Sequence, residues 1–172
     1  MPVADSPRVA EVVRRLREAG ATGEVRELPD SARTAAQAAA QLGVPVGAIA
    51  NSLVFDVGGN PLLVLTSGGH RVDTRQVADL LGVPEVRVAK PDFVREHTGQ
   101  AIGGVAPVGH PAPIGTLVDV ELARYEQVWA AAGHPHTVVP TTYDELLRVT
   151  EGTPAEVGPG PAETPRTEAV QA

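Results

Sequence analysis

The residues with the clearest chemical potential lie in one run, residues 98–115, which contains five glycines and three prolines. Glycine lets backbone N–H groups approach a ligand closely, and proline keeps the neighbouring backbone rigid. The run therefore predicts a fixed pocket wall made of backbone, which could hold a substrate oxygen or a water. A kinked strand at a barrel corner uses glycine in the same way, so composition alone leaves both interpretations open.

Side chains that could act as metal ligands or nucleophiles give weaker signals. His134 and His136 are two residues apart, but Pro135 between them favours a turn, and no carboxylate stands at a ligand-like spacing. We therefore predict no metal site. Ser67 and His70 could form a nucleophile and base, yet no acid at a recognised spacing orients the histidine, so a turn is the favoured interpretation.

Other catalytic classes are excluded by absent motifs. The chain has no cysteine, no phosphate-binding loop, no Gly-x-Ser-x-Gly nucleophile elbow and no His-Glu-x-x-His zinc motif. A net charge of −7 and a single lysine, Lys90, argue against a large basic surface for nucleic acid. We therefore expect no DNA binding and contact with only a small part of any RNA.

The elements that would position these residues can be predicted from caps and hydrophobic patterns. Cap signals predict helices that begin after Ser6, Thr34, Asp73, Lys90 and Thr142. Apolar runs predict strands near residues 25–28, 49–57, 61–66, 117–120, 128–131 and 137–139, with a hairpin turn at 58–60. Because hairpin-spaced strands dominate and no regular βαβ alternation is present, we predict an α+β fold.

A chain of 172 residues suits one domain, which we place at residues 1–151. Residues 152–172 are rich in Pro, Gly, Glu, Thr and Ala and have almost no large apolar side chains, which predicts a disordered tail. No stretch approaches the roughly 20 apolar residues of a membrane span. The first residues lack the basic and apolar regions of a signal peptide, so we expect a cytoplasmic protein and no membrane partner.

Several segments share a pattern with known proteins. They are Thr-Ala-Ala-Gln-Ala-Ala at 34–39, Ile-Ala-Asn-Ser-Leu-Val-Phe at 49–55, Leu-Val-Leu-Thr-Ser-Gly at 63–68, Ile-Gly-Gly-Val-Ala-Pro-Val-Gly-His at 102–110 and Ala-Gly-His-Pro at 132–135. In these segments the chain resembles the YbaK-type aminoacyl-tRNA deacylases, relatives of the editing domain of bacterial prolyl-tRNA synthetases. The Gly-Gly-Val-x-Pro-x-Gly loop combined with the Ile-x-x-Ser-Leu strand is the most specific part.

The resemblance implies both a fold and an activity. The fold would be a mixed, largely antiparallel curved sheet around a small pocket, flanked by helices. The activity would be that of a freestanding hydrolase that cleaves the ester of mischarged tRNA at its acceptor end, alone or docked on a synthetase, without a cofactor. An ester needs little beyond a positioned water and a stabilised oxyanion, which fixed backbone N–H groups can supply.

The resemblance also implies site residues. The predicted catalytic residues are Asn51, Gly103 and Gly104. The predicted substrate-binding residues are Ser52, Val105, Pro107, Gly109, His110 and His134. The family usually has lysine at the position of Asn51, whose amide donates hydrogen bonds but cannot neutralise an anion. This difference favours an alternative, a non-catalytic module for an aminoacyl end or a small metabolite, whereas the glycine-rich loop favours the enzyme.

Overall fold

The computed structural model of the protein describes residues 6–158. The helices in this range are α1 (Pro7–Glu18), α2 (Ala35–Leu42), α3 (Thr74–Leu81), α4 (Pro91–Thr98) and α5 (Tyr143–Thr150). The strands are β1 (Arg26–Glu27), β2 (Ile49–Val57), β3 (Asn60–Ser67), β4 (Arg87–Val88), β5 (Gly115–Asp119), β6 (Val128–Ala131), β7 (Thr137–Thr141) and β8 (Thr153–Ala155). The five predicted helices and six predicted strands are confirmed, and β4 and β8 were not predicted.

All strands belong to one mixed sheet in the order β1-β7-β6-β2-β3-β5-β8, with β4 beside β2. The pairs β1/β7, β6/β7, β2/β3 and β2/β4 are antiparallel, and the pairs β2/β6, β3/β5 and β5/β8 are parallel. The predicted α+β class, with a mixed and largely antiparallel sheet flanked by helices, is confirmed. No helix within residues 6–158 combines the length and apolar character that crossing a bilayer requires.

Each helix buries one face against the sheet. α1 contributes Val12 and Leu16 to the largest apolar cluster, α3 contributes Val77 to a second, and α2 contributes Ala38 and Ala39 to a third. Such spacing places the buried side chains on a single helical stripe. Because the side chains of α2 are small, its backbone lies close to the sheet beside β2 and β6.

The predicted caps position these helices. Thr34 accepts a hydrogen bond from the Gln37 N–H at the start of α2, and Gly43 ends this helix at φ 71°. Asp73 accepts from the first N–H groups of α3, which ends at Gly82 with φ 69°. Side-chain oxygens at N-caps and glycine at C′ satisfy backbone groups that a helix leaves unpaired. The amino end of α2 is therefore fixed in place.

The expectation that residues 152–172 form a disordered tail is wrong for the first part of this segment. β8 pairs in parallel with β5, and Ala155 and Val157 are buried in the second apolar cluster. The Val157 carbonyl also accepts from the Asp73 N–H at 2.8 Å. Burial of only two small apolar side chains is enough to order this segment, because the edge of β5 supplies its backbone hydrogen bonds. Composition does not reveal this contribution. Residues 159–172, like residues 1–5, lie outside the described residues.

Candidate functional site

The candidate site begins at a gap in the sheet beside β2. This strand pairs with β6 only through Ile49 and Ala50, and with β4 only through Phe55 and Asp56. Within the described chain, residues 51–53 therefore have no strand neighbour on this side. A strand edge of this kind presents free N–H and C=O groups.

Ser52 directs its main chain into this gap. Val57 and Asn60 close the two-residue hairpin turn, so alternate residues of β2 bond to β3 and the others face away from it. Val54 faces away, since its carbonyl accepts from the Ala89 N–H at 3.3 Å. The main chain of Ser52, two residues earlier, has the same orientation. In addition, the buried side-chain Oγ of Ser52 has no hydrogen-bond partner among residues 6–158.

Gly103 and Val105 close the gap from the other side. Gly103 has φ 91°, in the left-handed region that favours glycine, and a Cβ there would lie 3.3 Å from the Cα of Arg33. The loop is anchored by the buried amide of Gln100, whose Oε1 accepts from the Ala106 N–H at 2.7 Å. Of the glycine-rich run predicted to form a wall, Ile102, Gly103 and Val105 line the cavities at this gap.

Two small cavities meet at a ridge, which consists of Asn51, Ser52, Gly103, Val105 and Arg33. The first cavity is about 40 Å³ and extends to the amino end of α2, to Trp129 of β6 and to Thr137 and Val138 of β7. The second is about 80 Å³ and its other lining residues are the apolar Leu53, Val54, Val88, Ala89, Val94 and Ile102. A substrate with two chemically different ends could occupy both.

Arg33 is the one charged side chain of the described chain that lines these cavities; no carboxylate or imidazole does. Burial lowers the pKa of nearby His134, and His136, Arg33 and Arg8 lower it further by repulsion of the charged form. The neutral imidazole is thus favoured beside the site. The walls can donate hydrogen bonds from amides and offer one cation, but they hold no acid or base.

Two predicted site residues lie behind the wall rather than in it. A Cβ on Gly104 would be 2.8 Å from the main chain of His134, so this glycine is required for packing of two backbone segments. Pro107 is buried and does not line either cavity. The expectation that Gly104 faces the ligand is therefore corrected: its missing side chain makes room for protein, and Gly103 alone of the pair reaches the cavities.

The other predicted residues lie farther from the ridge. Gly109 and His110 line a separate cleft of about 300 Å³ between α1 and the loop. His110 is buried, its Nε2 is 2.9 Å from the Ala106 carbonyl oxygen, and burial lowers its pKa. His134 accepts a hydrogen bond at Nδ1 from the His136 N–H at 3.0 Å and lines neither cavity. The placement of these three residues in the pocket is corrected, because none of them lines either cavity.

Comparison with known proteins gives this site a family. The profile of the aminoacyl-tRNA editing domain matches residues 29–149, which include the whole ridge. The chain belongs to the aminoacyl-tRNA editing domain family. The resemblance of the sequence to YbaK-type and prolyl-tRNA synthetase editing domains is thereby confirmed.

Relatives of this editing domain include proteins of similar and of greater length. Protein YwhH of Bacillus subtilis (strain 168), which is uncharacterized, is 33% identical over 124 residues, 72% of this chain and 78% of that protein. The proline–tRNA ligase of Bacillus licheniformis is 29% identical over 160 residues, 83% of this chain but 27% of the ligase. A crystal structure described as that of a candidate trans-editing enzyme for prolyl tRNA synthetase is 42% identical, with a TM-score of 0.83, and the match covers 90% of this chain and 99% of that one.

Arg33 and Trp129 line the candidate site of this editing domain but were not predicted from the sequence. Arg33 directly precedes the Thr34 cap, so the start of α2 was predictable, but its position opposite Gly103 was not. Trp129 reaches the first cavity because β6 pairs in parallel with β2 across a long connection. Neither juxtaposition leaves a local signal in the sequence.

A second cluster of polar groups, formed by Ser67, His70 and Asp119, lies outside the cavities. His70 Nδ1 is 2.9 Å from Asp119 Oδ2, so an orienting acid does exist, 49 residues along the chain. Ser67 Oγ donates to the Gly47 carbonyl at 2.7 Å rather than to His70, and the His70 N–H closes a turn on the Ser67 carbonyl. The predicted turn is confirmed, and the missed acid does not create a nucleophile. No three His, Asp or Glu side chains in residues 6–158 are grouped to hold a metal ion.

Proposed function

We propose that the protein is a freestanding aminoacyl-tRNA deacylase that hydrolyses the ester of mischarged tRNA in trans. Membership of the editing family and the 42% identity to a candidate trans-editing enzyme support this assignment. The observation that supports it most is the open edge of β2 facing the glycine wall, because this arrangement directs fixed N–H groups at a small enclosed space. Such preorganised donors stabilise the oxyanion of ester hydrolysis.

In the proposed reaction a water oxygen attacks the ester carbonyl carbon and the bond to the ribose oxygen breaks. The ribose oxygen takes up one proton of the water, the other proton is released to solvent, and the amino acid leaves as a carboxylate. The Asn51 amide and Ser52 orient the aminoacyl group, while the backbone around Gly103 holds the ester or its water and Val105 excludes bulk solvent. Because no acid or base lines the cavities of the described chain, positioning and oxyanion stabilisation supply the rate.

The remaining predicted residues act on the loop rather than on the substrate. Gly104 allows the loop to pack on the main chain of His134, and Gly109 allows a close approach to Val12 of α1, 2.9 Å from where a Cβ would lie. Pro107 stiffens the segment between them, and His110 ties it to the Ala106 carbonyl. Their proposed role is to hold Gly103 in its left-handed conformation.

We propose that only the acceptor end of tRNA enters the site. The net charge of −7 disfavours a long contact with the phosphate backbone, whereas a terminal nucleotide needs only a few donors. A synthetase that had just released the mischarged tRNA would be a natural partner. The proposed place of action is the cytoplasm, where tRNAs are charged.

A deacylation screen with mischarged tRNAs tests the proposal, with Asn51→Ala as the diagnostic variant. We expect at least one aminoacyl ester to be hydrolysed. Loss of one donor to the substrate should lower kcat/KM by about threefold to tenfold, since a hydrogen bond is worth roughly 0.5–1.5 kcal/mol. Asn60→Ala is the matched control, because Asn60 is exposed at the hairpin turn and lines neither cavity.

Two outcomes would each contradict one part of the proposal. Equal activity of Asn51→Ala and wild type would remove Asn51 from the site. No turnover of any tRNA at enzyme in excess, combined with retained binding of the aminoacyl end, would favour the non-catalytic binding module.

A further inference from the structure

Arg33 occupies a special position in the candidate site. It is the one charged residue of the described chain that lines both cavities, and it lies on the ridge that they share. The facing residues, Asn51, Ser52, Gly103 and Val105, carry no charge. Any anionic group that binds across the ridge would therefore meet a single cation.

The backbone of Arg33 is held from three directions. Its N–H donates to Gln37 Oε1 at 2.8 Å, and the neighbouring Ala32 N–H donates to the Pro135 carbonyl at 2.9 Å. On the third side, the position of a Cβ on Gly103 would be 3.3 Å from the Arg33 Cα. The base of the side chain is thus fixed beside the cavities, while the residue as a whole is exposed to solvent.

Within the described part of the chain, no carboxylate forms an ion pair with the guanidinium. None of the ion pairs formed within residues 6–158 includes Arg33. The amino end of α2, with its partial positive charge, lines the first cavity directly after Arg33. The ridge is consequently a place of positive potential in a protein of net charge −7.

We propose that Arg33 binds the phosphate on the 5′ side of the nucleotide that carries the aminoacyl ester. Since this role rests on the proposed function, the choice of ligand follows from the chemistry of that substrate. The ester and ribose are neutral, and the α-amino group is cationic, so Arg33 would repel it. The phosphodiester is the one nearby anion, and the planar guanidinium matches its oxygens in a bidentate manner.

The test compares two substrates, of which only the longer contains this phosphate. One is an aminoacyl-adenosine with a free 5′ hydroxyl, and the other is the same ester extended by a 5′-linked cytidylate. We expect Arg33→Gln to lower kcat/KM on the extended substrate about tenfold, as for loss of a charge-assisted contact, and to change the nucleoside substrate less than twofold. Arg33→Lys should retain part of the wild-type kcat/KM on the extended substrate, because lysine keeps the positive charge but lacks the planar guanidinium that donates two parallel hydrogen bonds.

Arg75→Gln is the matched control, since Arg75 is an exposed arginine of α3 that lines neither cavity. Equal losses on both substrates in Arg33→Gln would overturn the phosphate contact, as would no loss on either. If wild-type protein hydrolyses neither ester, the screen with mischarged tRNAs decides the proposed function, and binding of amide-linked analogues of the same two lengths decides the role of Arg33. An extended analogue that binds Arg33→Gln as tightly as wild type would then overturn it.

Discussion

Two regions of the molecule contain groups capable of chemistry, and they are built in opposite ways. The ridge is made of glycine, small side chains and amides, with Arg33 as its one cation in the described chain. The cluster around Asp119 is built on a fully buried carboxylate, with the partly buried His70 and Glu121 beside it. Its carboxylate accepts hydrogen bonds from Ser67 N–H at 3.0 Å, His70 Nδ1 at 2.9 Å and Glu121 N–H at 3.0 Å.

This difference shows that residue types associated with catalysis need not form the site. Most groups around Asp119 satisfy one another, and their hydrogen bonds join the end of β3 to the end of β5, although His70 Nε2 has no hydrogen-bond partner within residues 6–158. At the ridge, the buried Ser52 hydroxyl also has no partner within residues 6–158, but unlike His70 this residue lines both cavities. Unsatisfied polar groups are costly in a folded protein, and they persist where a ligand completes them.

The largest effect that separates the two regions is expected for Asp119→Ala. Removal of the buried carboxylate leaves Ser67 N–H, Glu121 N–H and His70 without their acceptor. The free energy of unfolding should fall by about 3 kcal/mol, as for the breaking of a buried pair. Denaturant unfolding measures this change, and Asp79→Ala, at an exposed position of α3, is the control.

Deacylation by the folded fraction of Asp119→Ala should stay near the wild-type value. If the variant kept wild-type stability but lost most of its activity, the cluster would be catalytic and the contrast between the regions would be lost.

Gly103→Ala should produce the largest loss of activity. Its φ of 91° strains any L side chain, and the added Cβ would press on the Arg33 backbone at 3.3 Å. Displacement of the wall by a fraction of an ångström should lower kcat/KM by about 100-fold, because reaction rates depend steeply on such positions. Single-turnover deacylation and thermal unfolding, measured on the same preparation, test this expectation.

Gly82→Ala controls for backbone strain alone. Gly82 has φ 69°, and a Cβ there would meet no atom within 4 Å. We expect a similar loss of stability in both variants and a loss of activity only in Gly103→Ala. Matching activities would mean that the glycine wall is a fold requirement and not part of the site.

The elements predicted correctly from the sequence are those with local signals. Thr34 and Gly43 delimit α2, and the two glycines at 58 and 59, with φ of 60° and 93°, form the hairpin turn. β8 was missed because its stability comes from the distant edge of β5 and from burial of Ala155 and Val157. Local composition cannot report a partner strand that is far away in sequence.

The same reasoning explains what could be predicted of the site. Asn51 and Gly103 were found because they lie in segments with a distinctive pattern, and the structure places both on the ridge. Arg33 was missed because only the packing of the loop on the amino end of α2 brings it there. Asp119 was missed as the partner of His70 for a similar reason, since 49 residues separate them. Both residues are brought to their positions by contacts between segments that are distant in sequence, and residue type alone does not reveal such contacts.

The smallest expected effect is a pH dependence of stability that His70 causes. A hydrogen bond to Asp119 raises the pKa of His70, burial opposes this, and Glu121, whose Oε1 is 3.9 Å from Nε2, raises it further while Arg124 lowers it. The folded state thus binds the proton more tightly than the unfolded state, in which the pKa is about 6.5. The stabilisation is complete below this pH and is lost as pH rises through the pKa of the folded state.

Urea unfolding of wild type and His70→Gln at several pH values above 6.5 measures the contribution of His70 to the free energy of unfolding. We expect a difference of about 1 kcal/mol, the scale of one hydrogen bond. His110 and His134 have lowered pKa values, so their contribution is lost as pH falls below about 6.5 and does not enter this window. A wild-type slope that His70→Gln leaves unchanged would assign the dependence to another group. His70 binds only structural partners in the described chain. The deacylation rate of His70→Gln should therefore follow that of wild type across the same pH range. A loss of rate without a loss of stability would instead show that this cluster takes part in the reaction.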